Sequence, residues 1–487
     1  MTKDRHINPW IVLVLVCLAQ FMVVLDATIT NVALPSIKVD LAMSDADLQW
    51  IVNAYTLLFG GFLLLGGRAG DLFGRKRVFL IGVVVFTSAS ALCGVAGTQE
   101  LLIIGRGLQG LGAALVSPAA LSIVTTTFAE GSERTKAMGV WAAIAVGGGA
   151  VGLVLGGALT EYLSWPWVFF VNVPVGIAAF VLSLRLVPES RDEHAQGKGF
   201  DLGGAVSITA GLILLVYGIV RSGEVGWGSG EVIGLLVASA ILHAVFVLVE
   251  LRHRAPLVRL NIFSTRPLRG ANTTMLLVAS GLFAMFFFNT LYVQNVLGYS
   301  PLKAGLAFIP FTVGVIVGSA LSQALIPRIG AREVPALGLI LATLGMLAFV
   351  RLDVGGTYVG DLLPGILLCS IGMGLVFVPV TLIATSGVPH EDAGLASGMF
   401  NTSQQVGGAL GLAVLSTLAS SRTTDTLGSL GHAPSPGEQA SALVKGFHVA
   451  YVGGAIVLAV SAVALLALLR RSDVAAVSDG EAAAAVA

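Results

Sequence analysis

A chain of 487 residues that is 56% apolar and only 11% charged departs from soluble globular proteins, which carry roughly 25% charged residues. Its 27 basic residues balance its 27 acidic ones, so no net field points to nucleic acid. The mean hydropathy of +0.91 is that of an all-α membrane protein.

Long apolar runs recur about every 35 residues, each long enough for the ~20 residues a helix needs to cross ~30 Å of hydrocarbon. They predict fourteen spans: 10–34, 49–67, 78–98, 100–127, 136–160, 166–187, 202–220, 231–251, 269–295, 303–327, 333–350, 357–385, 392–419 and 447–470. A short basic stretch precedes the run from Trp10 to Val24, which continues to Leu34 without a small-residue cleavage site. That pattern reads as a retained first span, not a signal peptide. The longest linkers, Pro188–Asp201 and Ser420–Lys445, are polar and rich in turn residues. The tail, 472–487, reads as disordered and cytoplasmic. Cys17, Cys93 and Cys369 lie inside apolar runs without CxxC or Cys/His spacing; they read as small apolar packers, and no metal site is expected.

With the N-terminus inside, inner loops and tails hold 20 Lys and Arg and outer loops hold six. The excess marks the cytoplasmic side and predicts both termini in the cytoplasm of a bacterial cell. Phe73-Gly74-Arg75-Lys76-Arg77-Val78 after span 2 is echoed by Ile329-Gly330-Ala331-Arg332-Glu333-Val334 after span 10. The echo predicts a duplication: a six-helix bundle over 1–187, a linker with two inserted helices over 188–268, and a second six-helix bundle over 269–471. Repeats of this kind place a substrate site near midplane between the halves.

Charges inside hydrocarbon are costly, roughly 2.5–3.5 kcal/mol each, and are functional candidates by default. Asp26 lies about 16 residues into span 1 and Arg106 about six into span 4. At 1.5 Å per residue both fall about 10 Å below the outer surface, so the two can pair directly or through water. A nearby guanidinium favours a charged carboxylate, and an apolar cavity favours a neutral one. A motion that changes the distance or hydration of Arg106 therefore changes whether Asp26 holds a proton. The competing reading is a static buried pair that fixes helix packing. Asp361, Glu250 and Glu161 read as interfacial, and His243 and His448 as packers.

Gly66-Gly67-Arg68-Ala69-Gly70-Asp71-Leu72-Phe73-Gly74-Arg75-Lys76-Arg77 fills a tight cytoplasmic turn, where glycines permit close approach and Asp71 could cap a helix. From Gly67 to Lys76 this stretch resembles the loop signature of the major facilitator superfamily. Leu25-Asp26-Ala27-Thr28-Ile29-Thr30-Asn31-Val32-Ala33-Leu34-Pro35 resembles the first-span signature of its fourteen-span drug:proton antiporters. Arg106-Gly107-Leu108-Gln109-Gly110-Leu111-Gly112 resembles their span 4 motif. Asn172-Val173-Pro174-Val175-Gly176, Gly394-Leu395-Ala396-Ser397-Gly398 and Asn401-Thr402-Ser403-Gln404-Gln405-Val406-Gly407-Gly408 are similar to the family too. The resemblance implies a major facilitator fold of two six-helix bundles plus two inserted helices. It implies proton-coupled export by a functional monomer without a cofactor, with Asp26 and Arg106 coupling the proton. It also implies a conformational switch at Gly67, Asp71, Gly74 and Arg75. Two positions depart from the pattern. In span 5, Gly148, Gly152, Gly156 and Gly157 keep the glycine spacing, but Leu153 replaces the motif proline; Gly314 and Gly318 of span 10 are expected to face them, since small residues four apart let helices pack closely. In the outer loop, Pro166 stands between Trp165 and Trp167 where the family has arginine.

Spans 9, 10, 13 and 14 hold no acid in their interiors, which suits a lipophilic monocation or neutral amphiphile better than a dication. The substrate-cavity candidates are Asn31, Asn53, Tyr55, Gln109, Asn289, Gln294, Asn401 and Gln405, with Gln323, Gln404 and Tyr451 as further polar residues. Phe283, Phe286, Phe287 and Phe288 read mainly as packing. An importer on the same fold is the alternative, which Leu153 permits. A membrane-embedded enzyme is disfavoured because the seven histidines are scattered, without HxxxD or HExxH spacing. A passive receptor would not need Asp26 and Arg106 at matched depth.

Overall fold

The computed structural model describes residues 8–128, 131–191, 199–253, 256–386 and 393–475. Among them no strand forms, and fourteen long helices follow one another. The first seven are α1 (Pro9–Asp40), α2 (Trp50–Phe73), α3 (Arg75–Gly94), α4 (Gln99–Thr127), α5 (Ser132–Tyr162), α6 (Asn172–Leu186) and α7 (Leu202–Val225). The rest are α8 (Gly230–Arg252), α9 (Arg266–Leu291), α10 (Ile309–Ile329), α11 (Glu333–Phe349), α12 (Leu363–Thr385), α13 (Ala393–Gly428) and α14 (Pro436–Leu468). Eleven helical stretches among the described residues are long and apolar enough to cross a membrane; α5, α11 and α13 fall outside that set. In lipid a helix satisfies every backbone group internally, and large apolar side chains such as Ile81, Val84, Val237, Ile241, Val460 and Val463 accordingly face outward.

Helices α1 to α6 pack mainly among themselves, through α2 with α4, α3 with α4 and α1 with α5. A second group forms through α9 with α13 and α14, and α12 with α10 and α11. Helix α7 pairs with α8 and touches both α2 and α13, which also meet each other.

The loop echo has a structural counterpart. Gly74, at φ 104°, joins α2 to α3, and Gly330, at φ 100°, joins α10 to α11. Both occupy the region that disfavours a Cβ. Lys76 Nζ donates to Leu184 O at the end of α6 (2.9 Å), and Arg332 Nη2 donates to Leu466 O at the end of α14 (2.6 Å). The adjoining ion pairs have swapped signs. Arg77 of the first turn meets Glu189 beyond α6 (3.7 Å), whereas Glu333 of the second meets Arg471 beyond α14 (2.6 Å).

Several expectations are corrected. Ser420–Lys445 is mostly helix: α13 runs to Gly428, and α14 starts at Pro436, where the Ser435 side chain accepts from Glu438 N and the Glu438 carboxylate accepts from Ser435 N. These polar ends carry the helices past the apolar runs. Arg471–Asp473 forms a short 3-10 turn, and 476–487 lies outside the described residues, as does 192–198 of the earlier linker. The glycines of α5 face α1 and a short helix, Pro301–Ala307, that precedes α10. A Cβ on Gly152 would meet Leu25 O at 2.9 Å, one on Gly156 would meet Ile29 O at 2.7 Å, and one on Gly148 would meet Val24 Cγ1 at 3.2 Å. Gly157 lies against Pro301 O, at 2.6 Å by the same measure. Gly314 and Gly318 do not face α5; they admit Ser370 and the Ile371 backbone of α12. Buried Leu153 sits with its carbonyl against Gly305.

Candidate functional site

Asp26 and Arg106 form a direct ion pair, with the Arg106 side chain 2% and the Asp26 side chain 0% exposed. Helix α1 brings Asp26 to the middle of the first group, and α4 brings Arg106 beside it from 80 residues away. The glycines around Arg106 explain how α4 reaches so far in. A Cβ on Gly110 would collide with the Tyr55 backbone of α2, and one on Gly112 would lie 2.6 Å from Phe86 N of α3. Only a side-chain-free surface lets α4 sit between both neighbours at that distance.

Three side chains converge on the carboxylate. Arg106 Nη1 donates to Asp26 Oδ2, while Gln109 Nε2 and Asn172 Nδ2 each donate to Oδ1 at 2.9 Å. The guanidinium is held in turn: Nη1 also donates to Gln109 Oε1 at 2.8 Å, and Nε donates to Ile51 O at 2.9 Å. Gln109 Nε2 further donates to Ser90 Oγ at 2.7 Å. The Tyr55 ring lies under the guanidinium, 4.5 Å from Cζ, with Phe169 at 5.7 Å. Removing one partner of such a buried pair leaves an uncompensated charge, at a cost of about 3–5 kcal/mol.

A cavity of about 1350 Å³ lies between the two helix groups. It reaches the end of the molecule that carries the α2–α3 turn, where Arg68, Asp71, Arg75 and Arg259 line it. Its inner wall carries Ala27, Asn31, Tyr55 and Arg106 from the first group and Phe283, Phe286, Phe287, Asn401, Gln404 and Gln405 from the second. Asp26 is not on this wall, but its partner Arg106 is, as is Tyr55, whose ring lies against that guanidinium. At the opposite end the groups are closed against each other. Gln294 Nε2 donates to Val32 O, and Leu302 N donates to Glu161 Oε2, both at 2.9 Å.

Of the sequence-derived cavity residues, Asn31, Tyr55, Asn401 and Gln405 line the cavity. Gln109 belongs instead to the Asp26 network. Asn289 accepts from Tyr451 Oη at 2.7 Å inside the second group, and Gln294 helps to close the far end. Asn53 is fully buried, and neither side-chain polar atom has a hydrogen-bond partner among the described residues. Phe283, Phe286 and Phe287 line the cavity, whereas Phe288 packs against Phe447 at a tilt and Tyr451 edge-on. In the α2–α3 turn, Arg75 pairs with Asp71 at 3.4 Å. Gly67 lies near Pro118, and a Cβ on Gly74 would meet Glu189 Oε1 at 2.6 Å. Asp71, read from sequence as a possible helix cap, lies inside the last turn of α2 itself, and the next helix, α3, starts after Gly74 with no side-chain cap among the described residues. Asn172 and Ser90 were not assigned roles from sequence. Asn172 stood inside a recognised motif, the one signal that singled it out; Ser90 carried none.

Two helix groups closed at one end, a cavity open between them at the other, and a buried ion pair behind its inner wall define a membrane transporter. The description of the Major Facilitator Superfamily matches residues 16–412, and the chain belongs to that superfamily. It is a multi-pass membrane transporter of small molecules, not an enzyme. The chain is 41% identical over 476 residues to the puromycin resistance protein pur8 of Streptomyces alboniger, covering 97% of this chain and 94% of that one. It is 44% identical over 414 residues to the cephamycin export protein CmcT of Amycolatopsis lactamdurans, covering 85% of each. Among solved structures, a bacterial homologue of the human lysosomal transporter Spinster, in an inward-facing and unoccupied conformation, superposes with a TM-score of 0.64 at 18% identity. That match covers 96% of this chain and 98% of the other.

Proposed function

We propose that the protein exports small hydrophobic or monocationic compounds, drugs or a self-made metabolite, across the bacterial plasma membrane in exchange for protons. The observation that carries this reading is the contact of the cavity wall with the Asp26–Arg106 pair through Arg106 and Tyr55. A compound entering the cavity can thereby displace or hydrate the guanidinium, and a proton on Asp26 can in turn loosen it. The wall suits such compounds: three phenylalanines and a few amides supply apolar contact with sparse hydrogen bonding. The export direction is supported by the names of the relatives, which speak of puromycin resistance and cephamycin export. In this reading fourteen spans divide into bundles over 1–187 and 269–471 with the inserted pair between them. Both termini are cytoplasmic, the monomer is the working unit, and the proton gradient is the only drive. The cavity then opens to the cytoplasm, the side from which an exporter loads.

Inverted vesicles test the direction. With an acid interior they accumulate puromycin, and collapsing the gradient releases it. Accumulation in right-side-out vesicles driven by external acid would instead establish import.

A further inference from the structure

The inserted pair, α7 and α8, lies at the seam between the two groups. Thr209 of α7 fills the space at Gly61 of α2, and Thr417 Oγ1 of α13 donates to Ile219 O of α7 at 3.3 Å. At the foot of this pair, where α7 begins and α8 ends, sit two acids, Asp201 (3% exposed) and Glu250 (4% exposed). Each commits one oxygen to a backbone N–H. Gly204 N donates to Asp201 Oδ1 at 2.7 Å, and Val258 N donates to Glu250 Oε2 at 3.1 Å. The other oxygen of each, Asp201 Oδ2 and Glu250 Oε1, has no hydrogen-bond partner among the described residues. Both point at one spot: a methyl group on Gly204 would lie 2.8 Å from each of them. His253 Nδ1 stands 3.9 Å from Asp201 Oδ2, on a side chain 31% exposed. Asp201 also lines the cavity mouth, together with Arg68, Asp71, Arg75 and Arg259.

Two buried carboxylates whose free oxygens converge on one point, each 2.8 Å from it, with His253 at the margin, cannot both be ionised cheaply. A single proton resolves both problems at once. The acid that holds it donates to the free oxygen of the other, and the pair carries one negative charge instead of two. We propose that Asp201 and Glu250 form a proton-binding site, distinct from Asp26, that holds one proton between the two carboxyl groups and exchanges it with the cavity through Asp201. Because α7 touches both helix groups, loss of that proton adds one negative charge at the seam along which they must move. The inserted pair is then a second place where pH acts on the transporter, whatever the role of Asp26.

The test is pH-difference infrared spectroscopy of the full-length protein in lipid nanodiscs, in an Asp26→Asn background so that Asp26 cannot contribute. The expected result is a protonated-carboxyl carbonyl band that shifts in D2O and fades as pH rises. It disappears in both Glu250→Gln and Asp201→Asn. Asn remains a good N-cap acceptor for Gly204 N, and Gln keeps an oxygen for Val258 N, so both variants retain their backbone bonds. Either variant alone decides the matter, and gel filtration reports whether each is folded. Absence of the band in the Asp26→Asn background, or its persistence in a folded variant, would overturn the proposal and leave these acids as helix-end caps.

Discussion

Gly110 fixes how closely α4 can carry Arg106 to its partners, so Gly110→Ala should damage stability and the site together. The new Cβ would collide with Tyr55 O and lie 3.0 Å from Tyr55 C and 3.1 Å from Phe59 N. These are backbone atoms and cannot swing away. Restoring ordinary contact at 3.5–4.0 Å with Tyr55 O, the nearest of these atoms, requires α2 and α4 to separate by more than about 1 Å. One turn earlier on α2, the Arg106 Nε–Ile51 O bond at 2.9 Å would stretch to about 4 Å or more, past the limit of a hydrogen bond. Overpacking costs about 1–3 kcal/mol, and loss of a bond from a charged donor about 1.5–3 kcal/mol. Gly139→Ala in α5 is the control. Nothing among the described residues lies within 4 Å of its Cβ, and removing a mid-helix glycine gains about 0.5–1 kcal/mol. Heating both variants in detergent and following monodisperse protein should show Gly110→Ala failing well below wild type and Gly139→Ala at or above it. Equal heat resistance of the two would refute the argument that α4 is seated by backbone contact at Gly110.

Asn172→Leu withdraws one of the three donors to Asp26, weakening the charged carboxylate by about 1.5–3 kcal/mol. Proton-driven efflux should slow by about tenfold or more, measured as dye or drug extrusion from energised cells. Phe286→Ala opens the cavity wall without touching the ion pair. Inhibition profiles across a compound panel should therefore change in rank order, while the pH dependence of efflux for compounds still carried stays as in wild type.

The sequence made some parts of this site easy to read and hid others for physical reasons. Asp26 and Arg106 stood out because a charge in an apolar run is expensive, and helix rise alone put them at one depth. Gln109 was visible as the neighbour one turn from Arg106, but its assignment to the cavity was wrong in place: its amide points at Asp26 and Ser90. Asn172 lies 146 residues from Asp26, and an amide in a span costs too little to announce a partner. Asn53 and Asn289 show the same limit. Helices buried on most sides have no polar face that tells cavity from packing, so residue type alone could not separate them from Asn31 and Asn401. Gly314 and Gly318 announced a close helix contact correctly but not with which helix, since small-residue spacing does not encode the partner. The ends of α13 and α14 were missed because apolar runs mark hydrocarbon, and these helices continue beyond theirs.

The central claim, that the proton enters export through Asp26, is tested most directly by Asp26→Asn in reconstituted vesicles, with two readings on the same preparation. Substrate accumulation driven by an imposed acid interior is compared with substrate counterflow in the absence of a gradient. The account predicts that Asp26→Asn loses the first and keeps the second. Gradient-driven accumulation at the wild-type rate would contradict it and leave Asp26–Arg106 as a static pair that holds α1 to α4.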